Sequence, residues 1–171
     1  MIRLDRKQSI QLRKQVENRQ QKEKAIVEKL LPFLDSQKKI GAYIPIQGEV
    51  DIYSHLEEKY TMYVPKVISD TKMQFCKNAN LKPGKFHIPE PSIQDAIQPE
   101  ALDIILVPMV AFDYPYRMGY GKGYYDRYLK KCSAIRIGIA FDIQETKLKS
   151  NPWDEPMDWI ITETRIIGGK Q

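Results

Sequence analysis

The apolar run Ile104-Ile105-Leu106-Val107 follows Asp103, passes through Pro108, and leads by a block rich in glycine and tyrosine into helix-forming sequence. A run this apolar reads as a strand buried on both faces, the kind found at the centre of a parallel sheet covered by helices. The block itself, Arg117-Met118-Gly119-Tyr120-Gly121-Lys122-Gly123-Tyr124-Tyr125-Asp126, sets glycine at every second position around a cation. Such a loop lets backbone N–H groups approach an anion without an intervening Cβ and permits the positive φ of a concave turn, while Lys122 adds a mobile charge. The segment Tyr124 to Lys131 is expected to be a helix whose first turn favours negative charge on a ligand. It carries Asp126, a carboxylate suited to Mg²⁺ that bridges phosphate oxygens. The spacing alone leaves an ordinary turn open. Gly-x-Gly-x-Gly is one residue short of the dinucleotide pattern, Gly-x-x-x-x-Gly-Lys-Ser/Thr is absent, and Asp126 with Lys130 is also the spacing of a solvent-facing ion pair.

Around this centre the apolar periodicity predicts alternating helices and strands. Ile10, Leu12 and Val16, then Ile26, Val27, Leu30, Leu31 and Leu34, fall near helical spacing and predict one long helix with a polar middle at Glu17 to Lys24, ending or bending at Pro32. A strand is expected at Lys39 to Ile44, a short helix at Asp51 to Lys59, a strand at Thr61 to Val64 ended by Pro65, and a half-exposed strand at Met73 to Lys77. Residues 78–99 hold four prolines and Gly84, which predicts a long loop without regular structure. Ile135 to Phe141 and Trp159 to Thr162 supply two more strands. The expected architecture is α/β, a three-layer, Rossmann-like single domain over residues 1–171 with a largely parallel sheet flanked by helices. In such sheets ligands bind beyond the carboxyl ends of the strands, where the Pro108 to Gly123 connection would lie.

Composition narrows the function classes. At 171 residues the chain suits one domain with a real core. No apolar run approaches a membrane span and no secretory signal is visible, so the expected location is cytoplasmic, with no membrane partner. Cys76, Cys132, His55 and His87 are isolated from one another and give neither metal-ligand spacing nor a disulfide framework. The net charge of +5 resides in residues 1–29, where nine Lys/Arg face four Asp/Glu. A basic helix of this kind suits nucleic acid, a solvated face, or the steering of small anions.

The segment Val107-Pro108-Met109-Val110-Ala111-Phe112-Asp113, followed after a short spacer by Arg117 to Leu129, closely resembles the signature of the 5-formyltetrahydrofolate cyclo-ligase family. The resemblance extends through Ile44-Pro45-Ile46-Gln47-Gly48-Glu49-Val50-Asp51, Val64-Pro65-Lys66, Ile88-Pro89-Glu90-Pro91 and Asp158-Trp159-Ile160-Ile161-Thr162-Glu163, in the family's order and over nearly the whole chain. It implies ATP-driven closure of 5-formyltetrahydrofolate to 5,10-methenyltetrahydrofolate, with release of ADP and phosphate.

Residue by residue, the resemblance gives Arg117, Gly119, Gly121, Lys122, Gly123 and Tyr125 to ATP, with Lys122 and Arg117 as catalytic cations. It gives Asp126 and Asp158 to Mg²⁺, and Ile44, Glu49, Tyr120 and Tyr124 to the folate, whether monoglutamyl or polyglutamyl. Arg13 matches the arginine of an N-terminal Lys-x-x-x-Arg that serves ATP, but Ser9 stands where the lysine belongs, with Lys7 and Lys14 nearby. Met109 replaces the glycine that often follows the central strand's proline, where a side chain is expected to crowd the ligand. The expected protein is a monomeric enzyme that does not bind nucleic acid. Two alternatives are a sibling ATP-binding enzyme with another substrate and a module that binds nucleic acid through its basic helix and Tyr/Lys/Arg-rich segment.

Overall fold

The computed structural model describes residues 3–78, 82–83, 89–90 and 95–169. In chain order its strands are β1 (Ile40–Gly41), β2 (Met62–Val67), β3 (Met73–Lys77), β4 (Lys82–Pro83), β5 (Pro89–Glu90), β6 (Ala96–Ile97), β7 (Ile104–Pro108), β8 (Ala111–Asp113), β9 (Tyr116–Met118), β10 (Ile135–Ile139), β11 (Trp159–Ile161) and β12 (Ile166–Gly168). The helices are α1 (Arg6–Lys14), α2 (Arg19–Leu30), α3 (Tyr53–Leu56) and α4 (Tyr124–Leu129). Eight strands form one sheet in the order β12-β11-β10-β7-β1-β2-β3-β6. The five from β11 to β2 run parallel, and β12, β3 and β6 add antiparallel edges.

β7 is buried along its length, and its alternate residues feed two cores. Ile104 and Leu106 join Ile26, Val27 and Leu30 of α2 on one face, while Ile105 and Val107 join Tyr128 and Leu129 of α4 on the other. The helices therefore cover both faces, giving the expected three layers. No helix among the described residues is long and apolar enough to cross a membrane.

The N-terminal region departs from the single long helix. A reciprocal cap starts α1: the Gln8 N–H donates to Asp5 Oδ1 at 2.7 Å, and the Asp5 N–H to Gln8 Oε1 at 2.9 Å. The chain then breaks at Asn18, which takes the left-handed conformation at φ 53° that asparagine tolerates better than most residues. Beyond the break, Arg19 donates to the Arg13 carbonyl at 2.6 Å, capping an open end of α1, and to the Gly48 carbonyl at 3.1 Å. α2 then tightens into a 3₁₀ turn at Leu31–Phe33 around Pro32, as expected.

Other boundaries shift for identifiable reasons. β2 continues through Pro65. The Tyr63 carbonyl faces β1, so by alternation the Pro65 nitrogen faces the same side, where the two-residue β1 has already ended and no donor is needed. The proline-rich segment contains regular structure after all: β4 pairs with β5, and β6 pairs with the edge of β3. The connection after β7 is a β8–β9 hairpin, and β12 extends the sheet beyond the last expected strand. The expected elements at 39–44, 51–59 and 124–131 are present but shorter.

Candidate active site

Beyond the carboxyl ends of β1, β2 and β7 lies a cavity of about 940 Å³. Ile44, Glu49 and every site residue expected between Arg117 and Asp126 line it. Tyr43 and Ile44 enter from the segment after β1, Pro65 and Val67 from β2, Pro108 from β7, and the glycine loop from the β9–α4 connection.

One end is built on the turn Ile46 to Glu49. Gln47 and Gly48 both take positive φ, at 49° and 82°, and a Cβ on Gly48 would lie 3.1 Å from the Lys14 Cα, so glycine is required there by conformation and by space. The turn folds the Glu49 carboxylate back to accept the Ile46 N–H at 3.0 Å and the Tyr120 hydroxyl at 3.3 Å. Glu49 is only 6% exposed. Burial raises its pKa to about 7, against the opposing pull of the Ile46 N–H and Arg13. The same surroundings push the Tyr120 hydroxyl up to about 12 and that of Tyr125 higher still.

Arg13 stands behind this end. It is fully buried and lies outside the cavity lining. Its guanidinium donates to the carbonyls of Gln47 (2.8 Å) and Met109 (2.9 Å) and to the Tyr120 hydroxyl (2.6 Å). The residue expected to contact ATP instead pins together α1, the Glu49 turn, the β7–β8 junction and the glycine loop. Ser9, also buried, leaves its hydroxyl without a partner among the described residues.

The glycine loop forms the other end. Gly121 and Gly123 adopt φ of 91° and 72°, the left-handed values a concave loop needs. Gly119 serves a different purpose: a Cβ there would lie 2.8 Å from Arg117 Nη1, so its absence lets the guanidinium lie against the loop. Arg117 donates to the Pro108 carbonyl at 3.2 Å and sits over the Tyr125 ring at 5.0 Å, and burial lowers its pKa despite the pull of Asp126. Arg6 reaches in from α1 to the Gly119 carbonyl at 2.7 Å. Arg3 and Arg6 both line the cavity, though neither stood out in the sequence.

The two expected metal carboxylates do not meet. Asp126 lines the cavity and accepts the Glu155 N–H at 3.1 Å. Asp158 does not reach it. It precedes β11, at the amino end of a parallel strand and so on the opposite edge of the sheet, where its carboxylate accepts the Arg136 N–H at 2.8 Å. Besides Glu49, the carboxylate that shares the cavity with Asp126 is Asp154. It is held by a tight turn in which the Asn151 N–H donates to Asp154 Oδ2 at 2.6 Å and the Asp154 N–H to the Asn151 carbonyl at 3.0 Å. The turn-forming sequence Asn151-Pro152-Trp153-Asp154 was the available signal. Among the described residues no set of three metal-binding side chains exists, so a hard cation here would complete its shell with ligand oxygens and water.

The cavity brings the buried carboxylate of Glu49 together with the cationic glycine loop, Asp126 and Asp154. Residues 2–163 match the sequence profile of the 5-formyltetrahydrofolate cyclo-ligase family. The chain belongs to that family. It is 33% identical to the 5-formyltetrahydrofolate cyclo-ligase of Mycoplasma genitalium over 80% of its length and 81% of the relative's. It is 34% identical to that of Mycoplasma pneumoniae over 81% and 82%. Among solved structures, the 5,10-methenyltetrahydrofolate synthetase of Aquifex aeolicus superposes with a TM-score of 0.83 at 32% identity, covering 97% of this chain and 91% of that one.

Within this cyclo-ligase fold the Met109 departure is harmless to the cavity. Met109 is 2% exposed and turns away from the lining into the core, where its sulfur lies 2.7 Å from the position a Cβ on Gly138 would take. Gly138 of β10 makes the room that this methionine occupies, so the expected crowding of ligand does not occur.

Proposed function

We propose that this chain catalyses the ATP-dependent cyclisation of 5-formyltetrahydrofolate to 5,10-methenyltetrahydrofolate. The observation that carries the reading is a single cavity lined both by Glu49 and by Lys122, Asp126 and Asp154, so that an acceptor and a phosphoryl donor can share it. The chemistry needs both. A formamide carbonyl is a poor electrophile and its oxygen a poor leaving group. Attack by that oxygen on the γ-phosphorus releases ADP and leaves an imidate phosphate. The neighbouring folate nitrogen then bonds to the activated carbon, and phosphate departs with the original formyl oxygen. For such transfers a protein chiefly positions reactants and neutralises charge.

In this reading Glu49 accepts hydrogen bonds from the pterin, with Tyr43, Ile44, Tyr120 and Tyr124 as walls. Arg117 and Lys122 draw charge from the transferring phosphoryl group, and Gly119, Gly121, Gly123 and Tyr125 shape the loop that receives it. Arg13 acts by positioning Glu49 and Tyr120. Asp126 and Asp154 are the carboxylates that would hold Mg²⁺. The ion, when bound, offsets phosphate charge. The cations Arg3, Arg6 and Lys149 on the cavity lining suit a folate with one or several glutamyl carboxylates.

The test is an isotope balance. With ¹⁸O in the formyl group, the label is expected in inorganic phosphate, one atom per methenyl product. Label appearing in water would contradict activation by phosphorylation.

A further inference from the structure

Trp153 is 59% exposed, and no ring or cation stacks on it among the described residues. Its backbone lies within hydrogen-bonded structure, one residue before Asp154 in the Asn151 turn and two before Glu155, whose N–H donates to Asp126. It also sits where two concavities meet. Beside the main cavity at the glycine loop lies a smaller one of about 330 Å³, which shares Gly121, Lys122, Gly123, Asp126 and Trp153 with it and adds Arg127 and Lys130. Glu49, Tyr43 and Ile44 do not line the smaller concavity.

We infer that Trp153 is the stacking platform for the purine base of ATP. The inference rests on the proposed reaction and on the direction that reaction imposes. The γ-phosphoryl group must point toward the formyl oxygen of a substrate anchored at Glu49, so the β-phosphate and the base extend away from Glu49, past Lys122 and the two carboxylates. The outer concavity lies on that side, and Trp153 presents an unused aromatic face there. A base stacked on an indole gains affinity without a hydrogen-bonding code, so the platform selects for an aromatic base more than for adenine itself.

The experiment compares wild type, Trp153→Ala and Trp153→Phe by calorimetric binding of Mg²⁺·ADP and of Mg²⁺·tripolyphosphate, which lacks a base, together with cyclisation kinetics. Trp153→Ala is expected to weaken ADP binding and raise the KM for ATP about tenfold. Its tripolyphosphate affinity and KM for the folate should stay within about twofold of wild type, and Trp153→Phe should restore most of the ADP affinity. Equal weakening of tripolyphosphate and ADP would overturn the inference, since the residue would then shape the turn. A raised KM for folate alone, or unchanged ADP binding, would overturn it too. A failure of the proposed reaction shows separately, as wild type that binds ADP without forming product.

Discussion

The Lys122 side chain is exposed on the cavity lining, and no carboxylate or carbonyl engages its ammonium among the described residues. Such a cation contributes little to the fold and is available to a phosphoryl group. Lys122→Ala is therefore expected to lower kcat by about a hundredfold or more while the circular dichroism spectrum and melting temperature stay at wild-type values. Near-normal turnover would remove its assigned role. Asp154 and Asp158 divide in the same way. Asp154→Asn should raise the Mg²⁺ concentration needed for half-maximal rate, whereas Asp158→Asn should leave it unchanged, because Asp158 only holds the Arg136 N–H on the far edge of the sheet. A Mg²⁺ titration of the two variants separates these outcomes. Glu49 gives a stability prediction with a definite sign. Its pKa rises from 4.5 to about 7 on folding, so between these values the folded chain holds a proton that the unfolded chain has lost. Stability from this group is complete below pH 4.5 and is lost as pH rises through 7, by roughly 3 kcal/mol. Urea midpoints for wild type and Glu49→Gln should agree at pH 4, and the variant should be the more stable at pH 8. A difference that does not change with pH would contradict the burial argument.

At the scale of elements, β10 and β7 meet through an interlock of Gly138 and Met109. Gly138→Ala places a methyl against a buried sulfur and is expected to cost about 1–3 kcal/mol. In a Met109→Ala background the same change should be neutral or favourable, which a double-mutant cycle measured by urea denaturation would reveal as coupling. Equal costs in both backgrounds would show that the two residues do not share the space. The strands that could be read in advance were those whose apolar run had no competing period: β7 with its unbroken Ile-Ile-Leu-Val, then β3, β10 and β11. The errors came where distant contacts decide. The N-terminal helix breaks at Asn18, where Arg19 caps the Arg13 carbonyl and reaches Gly48, which is not local to the helical pattern. Pro65 reads as a strand end until β1 proves too short to need its missing donor. In the site, the glycine loop and Glu49 were legible because motif and turn chemistry are local. The choice between Asp154 and Asp158 was not, since it depends on which edge of a parallel strand each carboxylate occupies.

Across the whole molecule, part of the basic excess of the N-terminal region is committed by the fold. Arg13 and Arg19 donate to backbone carbonyls, and Arg3 and Arg6 face the cavity. Positive charge committed in this way suits small anions entering a cavity and leaves less for a continuous nucleic-acid surface. The central claim is that the glycine loop and the Glu49 turn, far apart in sequence, form one site in which ATP activates a formyl group. The most direct measurement is absorbance in the methenyltetrahydrofolate band after mixing the protein with 5-formyltetrahydrofolate and Mg²⁺, with and without ATP. Growth of the band only when ATP is present is the predicted result. No growth with ATP bound, or equal growth without it, would contradict the account.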